Sequence, residues 1–132
     1  MSFIKTDIAE LKFDGQHTLE IIMLENIELT ILNVKQTFEK TKSITCGKKV
    51  KVILDLRGLQ FTYVPSEVMD YMAKSAFNKY QQAVAIIIEG LGQKLLGNFY
   101  TKIVKPEVKT KIFTCNKEAI VWLNSINETQ NA

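Results

Sequence analysis

Val50-Lys51-Val52-Ile53-Leu54-Asp55-Leu56 is a nearly continuous apolar run rich in β-branched residues, and it decides the fold. A strand with one solvated face alternates apolar and polar residues, whereas a strand covered on both faces of a parallel sheet reads as a continuous run. The stretch therefore predicts a central strand of a parallel sheet. Residues 83–88 (Ala-Val-Ala-Ile-Ile-Ile) repeat the pattern and predict its neighbour. Between the two runs, Pro65 suits the first turn of a helix. Val68, Met72 and Ala76 form one apolar row of that helix, and Met69, Ala73 and Tyr80 an adjacent one. These Met and Tyr side chains read as core. Strand, helix and strand in this order imply a right-handed crossover.

The same alternation extends both ways. Toward the C-terminus, Glu89-Gly90-Leu91-Gly92 turns into a third helix, with Leu91, Leu95, Phe99 and Ile103 at four-residue spacing. Lys105-Pro106 stops it, because proline disfavours helical backbone at the residue before it. Residues 110–113 predict a last strand. Thr114 is placed to cap a final helix with Ala119, Ile120, Leu123 and Ile126 facing inward and Trp122 at their edge. Toward the N-terminus, Thr30 is a good cap for the first helix, and Leu29 and Val34 occupy the two positions of a hydrophobic staple. Ile31, Val34 and Phe38 predict its buried stripe, and Gly47 ends the unit. Residues 8–13 and 18–24 around Asp14-Gly15 predict a β-hairpin. The expected fold class is α/β: a five-stranded, mostly parallel sheet with an N-terminal β-hairpin and four helices, in one domain over residues 1–132. Residues 127–132 read as a frayed tail.

Composition fits a folded domain: 132 residues, 46% hydrophobic and 23% charged. The net charge of +3 and pI of 8.8 fall short of a nucleic-acid binder, for which a pI above about 9 is expected. Charge is uneven: residues 1–47 hold 5 Lys and 7 acids, residues 48–132 hold 12 Lys/Arg and 7 acids, so the basic half favours an anionic partner. Cys46 and Cys115 belong to no CxxC pattern, which fits free thiols in the cytoplasm. No signal peptide and no transmembrane run is expected. One histidine, His17 beside the hairpin turn, excludes a His-ligated metal cluster, so neither metal nor cofactor is expected.

Several residues invite a function, each beside a plainer role. Gly90-Leu91-Gly92-Gln93-Lys94-Leu95-Leu96-Gly97 follows a strand and opens a helix, where phosphate-binding turns sit. The third glycine of GxGxxG is replaced by Leu95, and the Lys-Ser/Thr of a P-loop by Asn98-Phe99. A tight turn and a close helix–sheet approach account for these glycines equally well. Asp55 and Glu89 belong at the carboxyl edge of the sheet, where open α/β sheets bind ligands. Arg57 is the one arginine beside sixteen lysines, which suggests bidentate pairing with Asp55 or with a bound anion. Thr62 and Ser66 lie at the start of the second helix, as phosphate-accepting residues or simple caps. Lys94, Lys102, Lys105, Lys109 and Lys111 share one helix-to-strand unit with a single acid, Glu107; the unit suits an anionic lipid, an acidic protein or plain solvent. Cys115 falls at the last helix start, without an activating base nearby in sequence.

Val52-Ile53-Leu54-Asp55-Leu56-Arg57-Gly58 resembles the central strand and loop of SpoIIAA-like (STAS-related) domains. Leu96-Gly97-Asn98-Phe99-Tyr100, Lys105-Pro106, Ile112-Phe113-Thr114, Glu118-Ala119 and Trp122-Leu123 are similar to a Bacteroidetes-type subgroup of that superfamily. The resemblance implies the SpoIIAA-like fold, shared with CRAL-TRIO lipid-binding domains, and a non-enzymatic part in bacterial regulation. Some relatives are phosphorylated on a serine in an Asp-Ser-Ser-Gly motif. The matching stretch here is Tyr63-Val64-Pro65-Ser66-Glu67, in which the Asp and Gly are absent and Ser66 alone corresponds. The expected function is a small binding or regulatory domain without catalysis in the bacterial cytoplasm. The alternative is a lipid or small-apolar-ligand-binding protein related to CRAL-TRIO domains. Candidate contacts for a protein partner, an anionic lipid or a small ligand are Asp55, Arg57, Ser66, Glu89, Lys94, Asn98 and Lys102, with pairing of two copies left open.

Overall fold

The computed structural model of the protein describes residues 2–59 and 63–126. The elements in order are β1 (Ser2–Lys5), β2 (Ala9–Phe13), β3 (Thr18–Met23), α1 (Ile31–Ile44), β4 (Val50–Asp55), α2 (Ser66–Lys74), β5 (Gln81–Ile87), α3 (Gly90–Phe99), β6 (Thr110–Phe113) and α4 (Asn116–Asn124). Among the described residues they form one six-stranded sheet in sequential order. β1, β2 and β3 pair antiparallel, and β3 to β6 pair parallel. The two apolar runs are the adjacent central strands β4 and β5, as their continuous hydrophobicity predicts. The extra strand β1 corrects the expected five. It is a short edge strand, exposed but for half-buried Ile4, so it lacks the alternation that marks a half-buried strand.

Side chains alternate between the two faces of the sheet. Leu19, Ile21, Val50, Val52, Val84 and Ile86 face α1 and α2, while Ile53, Ala83, Ala85, Ile87 and Phe113 face Ala119, Leu123 and Ile126 of the α4 segment. Trp122 lies against Phe113, ring centroids 5.6 Å apart.

Helix ends largely follow local chemistry. Thr30 caps α1, accepting from Asn33 N at 3.1 Å while the Asn33 side chain accepts from Thr30 N at 2.9 Å, a reciprocal pair that satisfies two orphan donors. The buried stripe of α1 differs from the expected one. Val34, Thr37 and Thr41 are buried and Ile31 is exposed. The threonines tolerate burial because their hydroxyls donate within the helix, Thr37 to Asn33 O at 2.9 Å and Thr41 to Phe38 O at 2.6 Å. α2 ends at Lys74, and a 3-10 turn over Ala76–Tyr80 carries Ala76 and Tyr80 out of the predicted rows. α3 passes into a π-turn over Tyr100–Val104, closed by Lys105 N donating to Tyr100 O at 3.0 Å with Lys105 in the left-handed region at φ 55°. α4 is capped at Cys115 without a side-chain hydrogen bond, one residue later than Thr114, and Ile120 faces solvent.

Candidate functional site

Asp55 ends β4 facing away from α1 and α2, and it is buried. Its carboxylate accepts three hydrogen bonds from Arg57: backbone N at 3.0 Å, Nε at 3.0 Å and a terminal guanidinium nitrogen at 2.8 Å. Burial pushes the Asp55 carboxyl up, but these hydrogen bonds and the guanidinium charge outweigh it and hold the group below its ordinary value. The pairing with Asp55 raises the guanidinium in return, and the charges of Glu89 and Glu20 add to it. Arg57 thus has Asp55 as its partner, with bidentate side-chain geometry. Glu89 is exposed and enters only as a nearby charge.

The glycine-rich turn between β5 and α3 is closed by its own chain. Gln93 is buried; its Oε1 accepts from Glu89 N at 2.8 Å, and its Nε2 donates to Leu56 O at 2.6 Å. This one side chain ties the loops after β4 and β5 together and occupies a backbone N–H that a phosphate would otherwise take. Its residue type gave no signal in the sequence, since an uncharged Gln inside a glycine-rich turn looks like any solvated loop residue. Gly97 faces Ile112 so closely that a Cβ there would lie 2.8 Å from Ile112 Cδ1, the close helix–sheet approach expected of a glycine in this run.

The other candidates are dispersed. Ser66 is the exposed first residue of α2; the cap position belongs to Pro65, and no side chain caps this end, which corrects Ser66 as a simple cap. Thr62 lies outside the described residues. Lys94 is exposed in the first half of α3, half-buried Asn98 follows one turn later, and exposed Lys102 lies in the π-turn. The lysine cluster is therefore split along a helical axis, with Lys94 near the carboxyl edge of the sheet and Lys105 and Lys109 at its amino edge. Lys111 sits over the Phe113 ring on the α4 side, 5.6 Å from the centroid. Leu91 and Leu95 are 73% and 63% exposed, so the first two members of the four-residue row point outward, while the side chains of Phe99 and Ile103 lie outside those described; Gln93 and Gly97 are buried.

A feature no single residue announced lies on the other side of β4. Leu54 and Leu56 are only half-buried, although Leu54 is on a central strand beneath the helices; Ile53 and Asp55, on the opposite face, are 4% and 6% exposed. The helical layer leaves an apolar cavity of about 100 Å³ there. The sheet contributes Ile21, Val52, Leu54 and Val84, α1 contributes Val34 and Phe38, and α2 contributes Met69 and Met72. Tyr100 lines it from the π-turn, and burial pushes its phenol up to about 12. Phe38 stacks on Phe77 at 4.8 Å between centroids, which fixes the aromatic wall. Of the other polar lining residues, Thr37 is on α1, and Asn78, Gln81 and Thr110 lie where the chain enters β5 and β6. Among the described residues no group of three His, Cys, Asp or Glu is arranged to hold a metal, and no helix is long and apolar enough to cross a membrane.

A family model described as Domain of unknown function (DUF7793) matches residues 12–127. The fold is similar to the crystal structure of an uncharacterized protein from the DUF3478 family with a SpoIIAA-like fold, from Shewanella loihica PV-4. That likeness has a TM-score of 0.62 and 18% sequence identity, and covers 93% of this chain and 98% of that one. The SpoIIAA-like architecture expected from the sequence is thereby shown. No curated protein matches the chain.

Proposed function

We infer that this chain, which belongs to the DUF7793 family, is a non-catalytic module that binds a small apolar group between its sheet and helices α1 and α2. The carrying observation is the cavity of about 100 Å³ over half-buried Leu54. An apolar void is costly when empty, since its lining atoms lose contacts. An apolar cavity of about 150 Å³ stays dry and takes up a single aromatic ring. The kinship with CRAL-TRIO lipid-binding domains that the sequence resemblance implies points the same way. The free thiols Cys46 and Cys115 support a reducing compartment, the bacterial cytoplasm, where occupancy would serve regulation. The carboxyl-edge side chains of Asp55, Arg57 and Gln93 are engaged with one another or with the backbone of the two loops, which favours a structural over a catalytic part for them.

Calorimetry with hexanol tests this. Burying five or six methylenes at roughly 0.8 kcal/mol each predicts a Kd on the order of 1 mM. Leu54→Trp, which fills the cavity from the sheet, and Met72→Trp, which fills it from α2, should each abolish binding while retaining the circular dichroism of the native fold. Undiminished binding in both folded variants, or no heat from the wild-type protein up to the solubility of hexanol, contradicts the assignment.

A further inference from the structure

Resting on the apolar-ligand function above, we propose that the ligand is an anionic amphiphile, with its tail in the cavity and a carboxylate or phosphate head at the amino edge of the sheet among Lys42, Lys79, Lys105 and Lys109. Two independent placements converge there.

The first is the distribution of polarity in the cavity wall. Asn78 and Gln81 lead into β5, and Thr110 starts β6; all three line the cavity and all three are half-buried. They lie at the amino edge, so the wall becomes polar and reaches solvent at that end. Asn78 Nδ2 donates to Ala73 O at 2.8 Å and the Thr110 hydroxyl to Val108 O at 2.7 Å, which fixes both side chains at this end. Thr37, the polar contribution from α1, donates to Asn33 O and bonds Thr6. Toward the carboxyl edge the lining is Met23, Leu56, Leu59 and Val64. A ligand with one polar end therefore has one favourable orientation.

The second is charge. The connections entering β3, β4, β5 and β6 at the amino edge (residues 14–17, 45–49, 75–80 and 105–109) hold Lys48, Lys49, Lys79, Lys105 and Lys109 against Asp14 and Glu107. The connections leaving β3, β4 and β5 at the opposite edge (24–30, 56–59, 63–65 and 88–89) hold Glu25, Glu28 and Glu89 against Arg57, which is committed to Asp55, and Lys94 adds one cation there from the first half of α3. Lys42 reaches the basic edge from the last turn of α1. Its Nζ and that of Lys79 lie 5.0 and 5.2 Å from the Tyr80 ring centroid, beside cavity-lining Gln81. Lys42 and then Lys79 hold the Tyr80 phenol below its ordinary value, a local sign of positive potential. Lys79 follows Asn78, Lys105 precedes lining Pro106, and Lys109 precedes Thr110, so the lysines alternate in sequence with the mouth residues. A head at this mouth meets ammonium groups and amide donors, while its tail meets aliphatic wall.

The test compares hexanoate and hexyl phosphate with hexanol on the full chain, at low salt and at about 0.5 M salt, where exposed charges are screened beyond a few ångströms. At low salt at least one anion should bind about tenfold tighter than hexanol, as one charge-assisted contact allows. That advantage should vanish at high salt and in Lys79→Gln/Lys109→Gln, while hexanol binding stays unchanged in both. The wild-type salt dependence decides the matter if the double variant fails to fold. Equal or weaker binding of both anions relative to hexanol overturns the anionic head and leaves the apolar-ligand function standing. No binding of any of the three overturns both.

Discussion

Asp55 shows how a residue that looks catalytic is absorbed by structure. A buried carboxylate at the carboxyl edge of a parallel sheet is a natural active-site candidate, yet all three of its observed bonds go to Arg57 two residues on. Asp55→Asn keeps the shape and removes the charge; urea unfolding should show a loss of about 1–3 kcal/mol, the range for weakening a hydrogen bond to a buried charged group. The pH dependence has a definite sign. The folded carboxyl titrates below its ordinary 3.8, so its stabilising contribution is complete above that value and is lost as pH falls through the lower folded one. Asp55→Asn should flatten the acid limb of the stability profile in that window, and an unchanged limb would remove Asp55 from the account. Gly58, next along, has no room for a side chain, because a Cβ there would run into the Met23 carbonyl. Gly58→Ala is expected to lower the thermal midpoint by forcing the loop off β3, at a cost of about 1–3 kcal/mol.

At the scale of elements, caps and periodicity carry different amounts of information. Thr30 was legible because capping is local chemistry: a hydroxyl, an orphan N–H and a residue three positions on. Thr30→Ala should cost about 1 kcal/mol by denaturant titration, with α1 fraying from its first turn in hydrogen exchange. The leucine row of α3 was misleading for an equally physical reason. Four-residue spacing locates a stripe but not the side of the helix that meets the sheet. That side was set by Gly97, which allows close approach to Ile112, and by Gln93, whose bonds to Glu89 N and Leu56 O lock the helix start. Gly97→Val should therefore destabilise by about 1–3 kcal/mol, and part of that loss should return when Ile112→Ala is added. Additive effects in that double-mutant cycle would show that the two side chains do not meet.

For the whole molecule, the sheet was legible because residues 50–56 and 83–88 are short, β-branched, continuous apolar runs, the pattern of strands covered on both faces of a parallel sheet. β1 was not, because an exposed edge strand needs no hydrophobic pattern. The cavity was invisible for a further reason. Its apolar lining residues read as ordinary core, and the gap arises from how α1, α2 and the π-turn at Tyr100 stand relative to β4, which is a sum over contacts and not a property of any stretch. The charge polarity between the two sheet edges was half-legible: the excess of lysine after residue 48 is plain, but its division between Lys94 at one edge and Lys105 and Lys109 at the other needs the fold. The most direct measurement is a methyl NMR titration of the protein with hexanol. Shifts should concentrate on the methyls of Leu54, Val52, Val84 and Met72, saturate in the millimolar range and be absent from Leu54→Trp. Shifts spread over the exposed Leu91 and Leu95 instead, or an unchanged response in folded Leu54→Trp, would contradict binding in the cavity.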